Sequence, residues 1–86
     1  MIIELHKNFA KQITKLKPAQ QKRLQKTLHL FLNEPNHPEL YNHPLSGEWK
    51  GHRSITFGGN WRAHYIPIDE NTALFVAVGT HSQLYK

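Results

Sequence analysis

The apolar positions divide this chain into a helical half and a stranded half. Ile2, Ile3 and Leu5 are close-spaced and β-prone, which predicts a short first strand. Asn8 is placed to cap a helix. Phe9, Ile13 and Leu16 follow at the spacing of one buried stripe, with Lys7, Lys11 and Lys15 on another face. Lys17-Pro18 ends this helix, because the residue before proline is pushed out of the helical region. Pro18 also suits the first turn of a second helix, where its missing N–H costs little. Over residues 19–33, Leu24, Leu28, Phe31 and Leu32 face inward and Lys22, Arg23 and Lys26 outward, until Glu34-Pro35. So short a link predicts an antiparallel helical hairpin. Residues 36–42 are turn-rich, lack a period and read as a connector.

From Trp49 onward the period is two. Gly58-Gly59-Asn60 separates two strand-like runs. A three-residue loop there pairs Phe57 with Trp61, Thr56 with Arg62, Ile55 with Ala63 and Arg53 with Tyr65. One face of the hairpin then carries Ile55, Phe57, Trp61, Ala63 and Tyr65, and the other His52, Ser54, Thr56, Arg62 and His64. A two-residue loop would mix the faces, so the three-residue loop is preferred. A solvent-facing strand ordinarily shows Lys, Glu and Thr. Two histidines, an arginine and two hydroxyls resemble a wall built to meet an anion. Asp69-Glu70-Asn71 is the next turn. Residues 72–78 are apolar on both faces, Leu74, Val76 and Val78 against Ala73, Phe75 and Ala77, which predicts an inner strand. Gly79-Thr80-His81 breaks it, and the Leu84 and Tyr85 of the tail imply docking.

The resulting order is β-α-α-β-β-β over a single domain, residues 1–86. It is an α+β chain with a two-helix hairpin packed on one face of a small, mainly antiparallel sheet. The polar set is expected on the uncovered face.

Charge sharpens this picture. Eleven Lys and Arg stand against six Asp and Glu, a net +5 with seven histidines besides. That balance favours a polyanionic or acidic partner. Cysteine is absent, which excludes disulfides and thiolate metal sites and fits a reducing compartment. No apolar run approaches the ~20 residues of a membrane span, and the N-terminus does not read as a signal peptide. The expectation is a cytoplasmic protein with no membrane association.

Residues 43–53, from His43 to Arg53, hold the densest run of unusual residue types: two histidines, a tryptophan, two cations and two glycines. The histidines lack metal-ligand spacing, and no metal or other cofactor is expected. Gly58-Gly59 sits in a hairpin, not in a strand–helix turn, so it cradles no nucleotide. Asp69 lies in a turn with no partner for a serine triad. What is left is histidine acid–base chemistry beside cations, and RNA cleavage fits that kit. The 2′-hydroxyl attacks the adjacent phosphorus, a base takes its proton and an acid protonates the leaving 5′-oxygen. Histidine suits proton transfer near neutral pH, and Arg or Lys suits the phosphorane.

His43-Pro44-Leu45, Gly47-x-Trp49-Lys50-Gly51-x-Arg53, Trp61 with Tyr65, and Gly79-Thr80-His81-x-x-Leu84-Tyr85 together resemble the YafQ branch of the RelE/ParE toxins. The match covers roughly the C-terminal half by motif and the helical half by pattern. It implies a toxin of a bacterial type II toxin–antitoxin system, acting as a ribosome-dependent endoribonuclease on mRNA. Its implied partners are the ribosome, mRNA and an acidic antitoxin of the DinJ or RelB type. Carried over by position, His81, His43 and Arg53 are the implied catalytic residues, with His81 the acid. Lys50, Trp61 and Tyr85 match the motif as RNA contacts, and Arg62, His64 and Asn60, on the polar hairpin face and its loop, are expected to join them.

The chain departs from the pattern at three places. Family members of known activity carry an acid and a histidine on the strand before the hairpin, and an acid just before the tryptophan. Here Ser54, Thr56 and Asn60 stand there, so a candidate general base is missing and His43, His52 or His64 is left to substitute. Two other readings follow. One is a catalytically weak or inactive module that binds an antitoxin and adds basic surface to operator DNA. The other is a ParE-like gyrase poison, which the histidine-bearing tail disfavours.

Overall fold

The computed structural model describes residues 1–85. Its elements are β1 (Ile2–Leu5), α1 (Lys7–Thr14), α2 (Pro18–Asn33), β2 (His43–Pro44), β3 (Arg53–Thr56), β4 (Trp61–Asp69), β5 (Thr72–Thr80) and α3 (His81–Leu84). Single 3-10 turns lie at Pro38–Leu40 and Gly47–Trp49. The five strands form one sheet in the order β1-β5-β4-β3-β2, antiparallel except for the parallel β1–β5 pair. This is the expected α+β arrangement, with β5 as an inner strand and two short elements added, β2 and α3.

His6, not Asn8, caps α1: its ring nitrogen accepts the Asn8 backbone N–H at 3.1 Å. An imidazole nitrogen serves here where a short oxygen side chain was expected. Pro18 opens α2 as predicted. The Gln21 side chain donates to the carbonyls of Ile13 and Leu16, at 2.8 and 3.2 Å, and so ties the start of α2 to the end of α1.

Apolar side chains of the helices meet one face of the sheet. Phe9, Leu24 and Phe31 are buried with Ile55, Phe57, Ala63, Tyr65, Ala73 and Phe75. Phe31 makes edge-on contacts with both Tyr65 and Phe75, at centroid distances of 5.0 and 5.4 Å. Such pairs add roughly 0.5–1.5 kcal/mol each beyond area burial. Leu32, expected in the stripe, is exposed, while Leu30 packs on the core. The connector also contributes, since Leu40 in its 3-10 turn is buried.

The hairpin has the expected register: Arg53 opposite Tyr65, Ser54 opposite His64, Ile55 opposite Ala63 and Thr56 opposite Arg62. Phe57 and Trp61 close the three-residue loop, with Phe57 N–H donating to Trp61 O at 3.1 Å. Gly58 has φ +122°, and a Cβ there would stand 3.0 Å from Arg23 Nη1, so backbone and space both favour glycine.

β5 differs from the expected strict alternation. Tyr65 is opposite Phe75 but His64 is opposite Ala77, so Val76 is an extra residue in the ladder. A bulge of this kind reverses the phase of the strand. Val78 therefore joins Phe75 in the core, and Ala77 falls in register with His64 on the other face. Gln12 Oε1 accepts the Val78 N–H at 2.9 Å.

Candidate active site

The second face of the sheet carries the polar set. Pairing puts His43, Ser54, His64 and Ala77 in one row across β2, β3, β4 and β5. Thr56, Arg62 and Gly79 form the next row.

This face is partly roofed. Trp49 lies edge-on to His64 at 4.4 Å and to His52 at 5.1 Å. Its Nε1–H donates to the Leu84 carbonyl at 3.2 Å, which ties the roof to α3. From α3, the Tyr85 hydroxyl reaches His64 Nε2 at 3.1 Å. Ser54 and His64 are consequently 0% exposed, which corrects the expectation of an open polar wall. His64, expected as an RNA contact, meets Tyr85 and Trp49 instead. The His64 pKa falls from 6.5 to about 4, first because burial penalises the charged ring, then because of the charges of His52, His43, Arg62 and His81. Those four groups mark out the basic surface around it.

The Gly79-Thr80-His81 motif has a local physical reason. Thr80 caps α3 through a reciprocal box: its hydroxyl accepts the Gln83 N–H, and Gln83 Oε1 accepts the Thr80 N–H at 2.8 Å. A Cβ at residue 79 would lie 2.7 Å from Gln83 Oε1, so glycine is what lets that side chain fold back. The cap places His81 at the first helical position. Its backbone N–H donates to the Asn60 carbonyl at 2.8 Å, joining the end of β5 to the hairpin loop. The His81 side chain is exposed and its ring lies 4.5 Å from that of Tyr85, tilted by 38°. Asn60, expected as an RNA contact, thus uses its backbone to anchor His81.

His43 is exposed at the edge of the same face. Its Nδ1 stands 2.7 Å from the Tyr41 carbonyl oxygen. A carbonyl only accepts, so Nδ1 carries the proton and the neutral ring keeps its lone pair on Nε2. Tyr41 is the one non-glycine described residue with positive φ, +48°. The left-handed turn at the end of Pro38–Leu40 is what aims that carbonyl.

Arg62 pins the hairpin. Its Nη1 donates to Thr56 Oγ1, Gly59 O and Trp61 O at 2.8, 2.7 and 3.0 Å. Arg53 does not join this group. It shares a face with Tyr65, and its Nε donates to Asn42 Oδ1 at 2.8 Å, while Asn42 in turn donates to the Tyr65 hydroxyl at 2.8 Å and to Pro35 O at 2.9 Å. No bulge interrupts β3–β4 to re-aim it. Trp61 is half-buried, packs on the core and stacks obliquely on Phe57 at 5.8 Å. Lys50 is exposed just after the Gly47–Trp49 turn.

The structure therefore groups His81, His43, Arg62 and Tyr85 around the buried His64, and sets Arg53 and Trp61 apart. Sequence reasoning missed the roof by Trp49 and the part of Tyr41. The positive φ of Tyr41 leaves no sequence signal. Trp49 did have one, its place beside two glycines, but alternation does not say which face it crosses.

None of the curated proteins compared with the chain matches it significantly. Solved structures do. The crystal structure of YafQ from E. coli superposes with TM-score 0.82 at 24% identity, over 98% of this chain and 97% of that one. YafQ in the E. coli DinJ–YafQ toxin–antitoxin complex gives 0.78 at 26% identity, over 98% and 96%. A metal-bound toxin from Helicobacter pylori gives 0.75 at 30% identity, over 99% of both chains. A family model described as the bacterial toxin of type II toxin–antitoxin systems, YafQ, matches residues 1–86, and this chain belongs to that family.

Proposed function

We propose that this toxin is a ribosome-dependent mRNA endoribonuclease that works by metal-independent histidine acid–base chemistry in the cytoplasm. The observation that carries the reading is the pairing of roles on one face: an exposed His81 at the start of α3, and an exposed His43 whose Nε2 lone pair is free. In this reaction His43 Nε2 takes the proton of the 2′-hydroxyl as its oxygen bonds to phosphorus. Arg62 stabilises the negative charge of the phosphorane. The protonated His81 ring gives its proton to the 5′-oxygen as that P–O bond breaks, leaving a 2′,3′-cyclic phosphate. Tyr85, against the His81 ring, lines the site.

His43 fills the gap left by the three departures. Ser54 and Thr56 carry hydroxyls and Asn60 an amide, none of them basic near neutral pH, and Ser54 is buried while Thr56 Oγ1 accepts from Arg62, so none of the three serves as the base. Lys50 supplies a further cation for the RNA or ribosomal backbone. The net charge of +5 equally suits an acidic antitoxin, and DinJ is the antitoxin bound to the E. coli relative.

Induced expression with and without His81→Ala, with mRNA mapped on ribosomes, tests the reading. The wild type should cut translated mRNA and the variant should lose ~10²–10⁴-fold in rate. Equal cutting by both, or none by either, overturns it. In the second case the alternative gains ground: a RelE-fold module that binds antitoxin, and operator DNA with it, without cleaving. The change from acid and histidine to Ser54 and Thr56 is what favours that alternative.

A further inference from the structure

A cavity of about 510 Å³ opens beside the residues just described. Its lining joins two parts of the chain. Glu39 and Tyr41 come from the connector, His43, Thr56 and Arg62 from the sheet, and Gly58 and Gly59 from the hairpin loop. The volume lies within the range of small-ligand clefts, roughly 300–1,000 Å³. Nothing in the proposed acid–base step uses Glu39 or the Tyr41 ring.

Tyr41 is unusual in two independent ways. Its backbone is left-handed, a conformation that disfavours a bulky side chain. The residue is 73% exposed, the most exposed of the large hydrophobic residues described. Folding would lose nothing by placing glycine or asparagine there. Strained residues and bare aromatics both concentrate at binding sites. The same residue's carbonyl holds the His43 ring, so the base and the aromatic face are fixed by one turn.

We propose that this cavity is a nucleobase subsite, in which the base next to the cut phosphate stacks on Tyr41. This rests on the endoribonuclease reading and deepens it. A single-stranded base offers its π-face to any aromatic platform. Charge orients the nucleotide. The Arg62 end takes the phosphate, and the Glu39 carboxylate keeps phosphate out of the connector end and leaves that end to the neutral base. Stacking there holds the scissile phosphate between His43 and His81.

The test compares wild type, Tyr41→Phe and Tyr41→Gly in two measurements. Glycine accepts the left-handed backbone, so the carbonyl bond to His43 survives while the ring is removed. The first measurement is the binding of a short RNA with 2′-O-methyl groups, which cannot be cut by attack of the 2′-oxygen, followed by NMR of the Tyr41 ring. The second is cleavage of ribosome-bound mRNA. Expected are a shift of the Tyr41 ring resonances on binding, a tenfold or greater loss of affinity and rise in KM for Tyr41→Gly, and near-wild-type behaviour for Tyr41→Phe. Equal affinity and equal KM for all three proteins overturn the subsite. A wild type that binds RNA through Tyr41 but cuts nothing supports the subsite and sinks the nuclease reading instead.

Discussion

Tyr85 Oη and His64 Nε2 are hydrogen-bonded at 3.1 Å, and this bond ties the short C-terminal helix to the centre of the sheet. His64 has no exposure, whereas Tyr85 is 37% exposed and shows its other side to His81. A buried ring thus sets the position of an aromatic that flanks the proposed acid.

A double-mutant cycle measures that link. His64→Leu and Tyr85→Phe each remove one partner, and the pair should show a coupling of ~1 kcal/mol in urea unfolding. Cleavage should fall in both variants by the same factor, since each frees the same wall of the site. Additive losses in stability would mean that the bond contributes nothing to the fold.

Stability should also fall as the solution is acidified. His64 has a lowered pKa of about 4 in the folded chain against 6.5 when unfolded. Above pH 6.5 both states hold the neutral ring. Between 6.5 and about 4 the unfolded state binds a proton that the folded state refuses, so stability drops with decreasing pH, by at most ~1.4 kcal/mol per unit. Unfolding midpoints from pH 7.5 to 4.5 would show the slope, and His64→Leu should flatten it. An unaltered slope in that variant would assign the loss to other groups.

Gly79→Ala should disturb α3 without touching the core. The new methyl would meet Gln83 Oε1, pushing it off the Thr80 N–H. The expected loss is ~1 kcal/mol, matched by Gln83→Ala and not doubled when both are combined, because both break the same cap. Calorimetry of the three variants checks this, and ribosomal cleavage should weaken alongside as His81 loses its seat.

Arg53 offers a separate discrimination. Its guanidinium serves Asn42, which also holds the Tyr65 hydroxyl and the Pro35 carbonyl. Arg53→Met should lower stability by ~1–2 kcal/mol while leaving the cleavage rate per folded molecule within about threefold. A large rate loss at unchanged stability would return Arg53 to the catalytic group.

The hairpin register was legible because a shift of one residue would have mixed Ile55 and Ala63 with His64 and Arg62, and burial forbids that. The helical stripes of Phe9, Leu24 and Phe31 were legible for the same reason. The pattern fails where elements are too short to have a period: His43-Pro44, the turn under Trp49 and the four residues of α3. It fails again at Val76, where one extra residue changes the phase of β5 without altering composition. The largest discrepancy, the burial of His64, has one cause. Alternation says which side chains share a face, but not that Trp49 and Tyr85 cross over it.

The parallel pairing of β1 with β5 carries a consequence for synthesis. The first strand made, Ile2–Leu5, finds its partner only in Thr72–Phe75. Early residues must therefore wait for late ones, and contacts so distant along the chain form slowly. A nascent chain that ends before Thr72 has neither a closed sheet nor His81. A protein proposed to attack translation is in this way kept unarmed during its own translation.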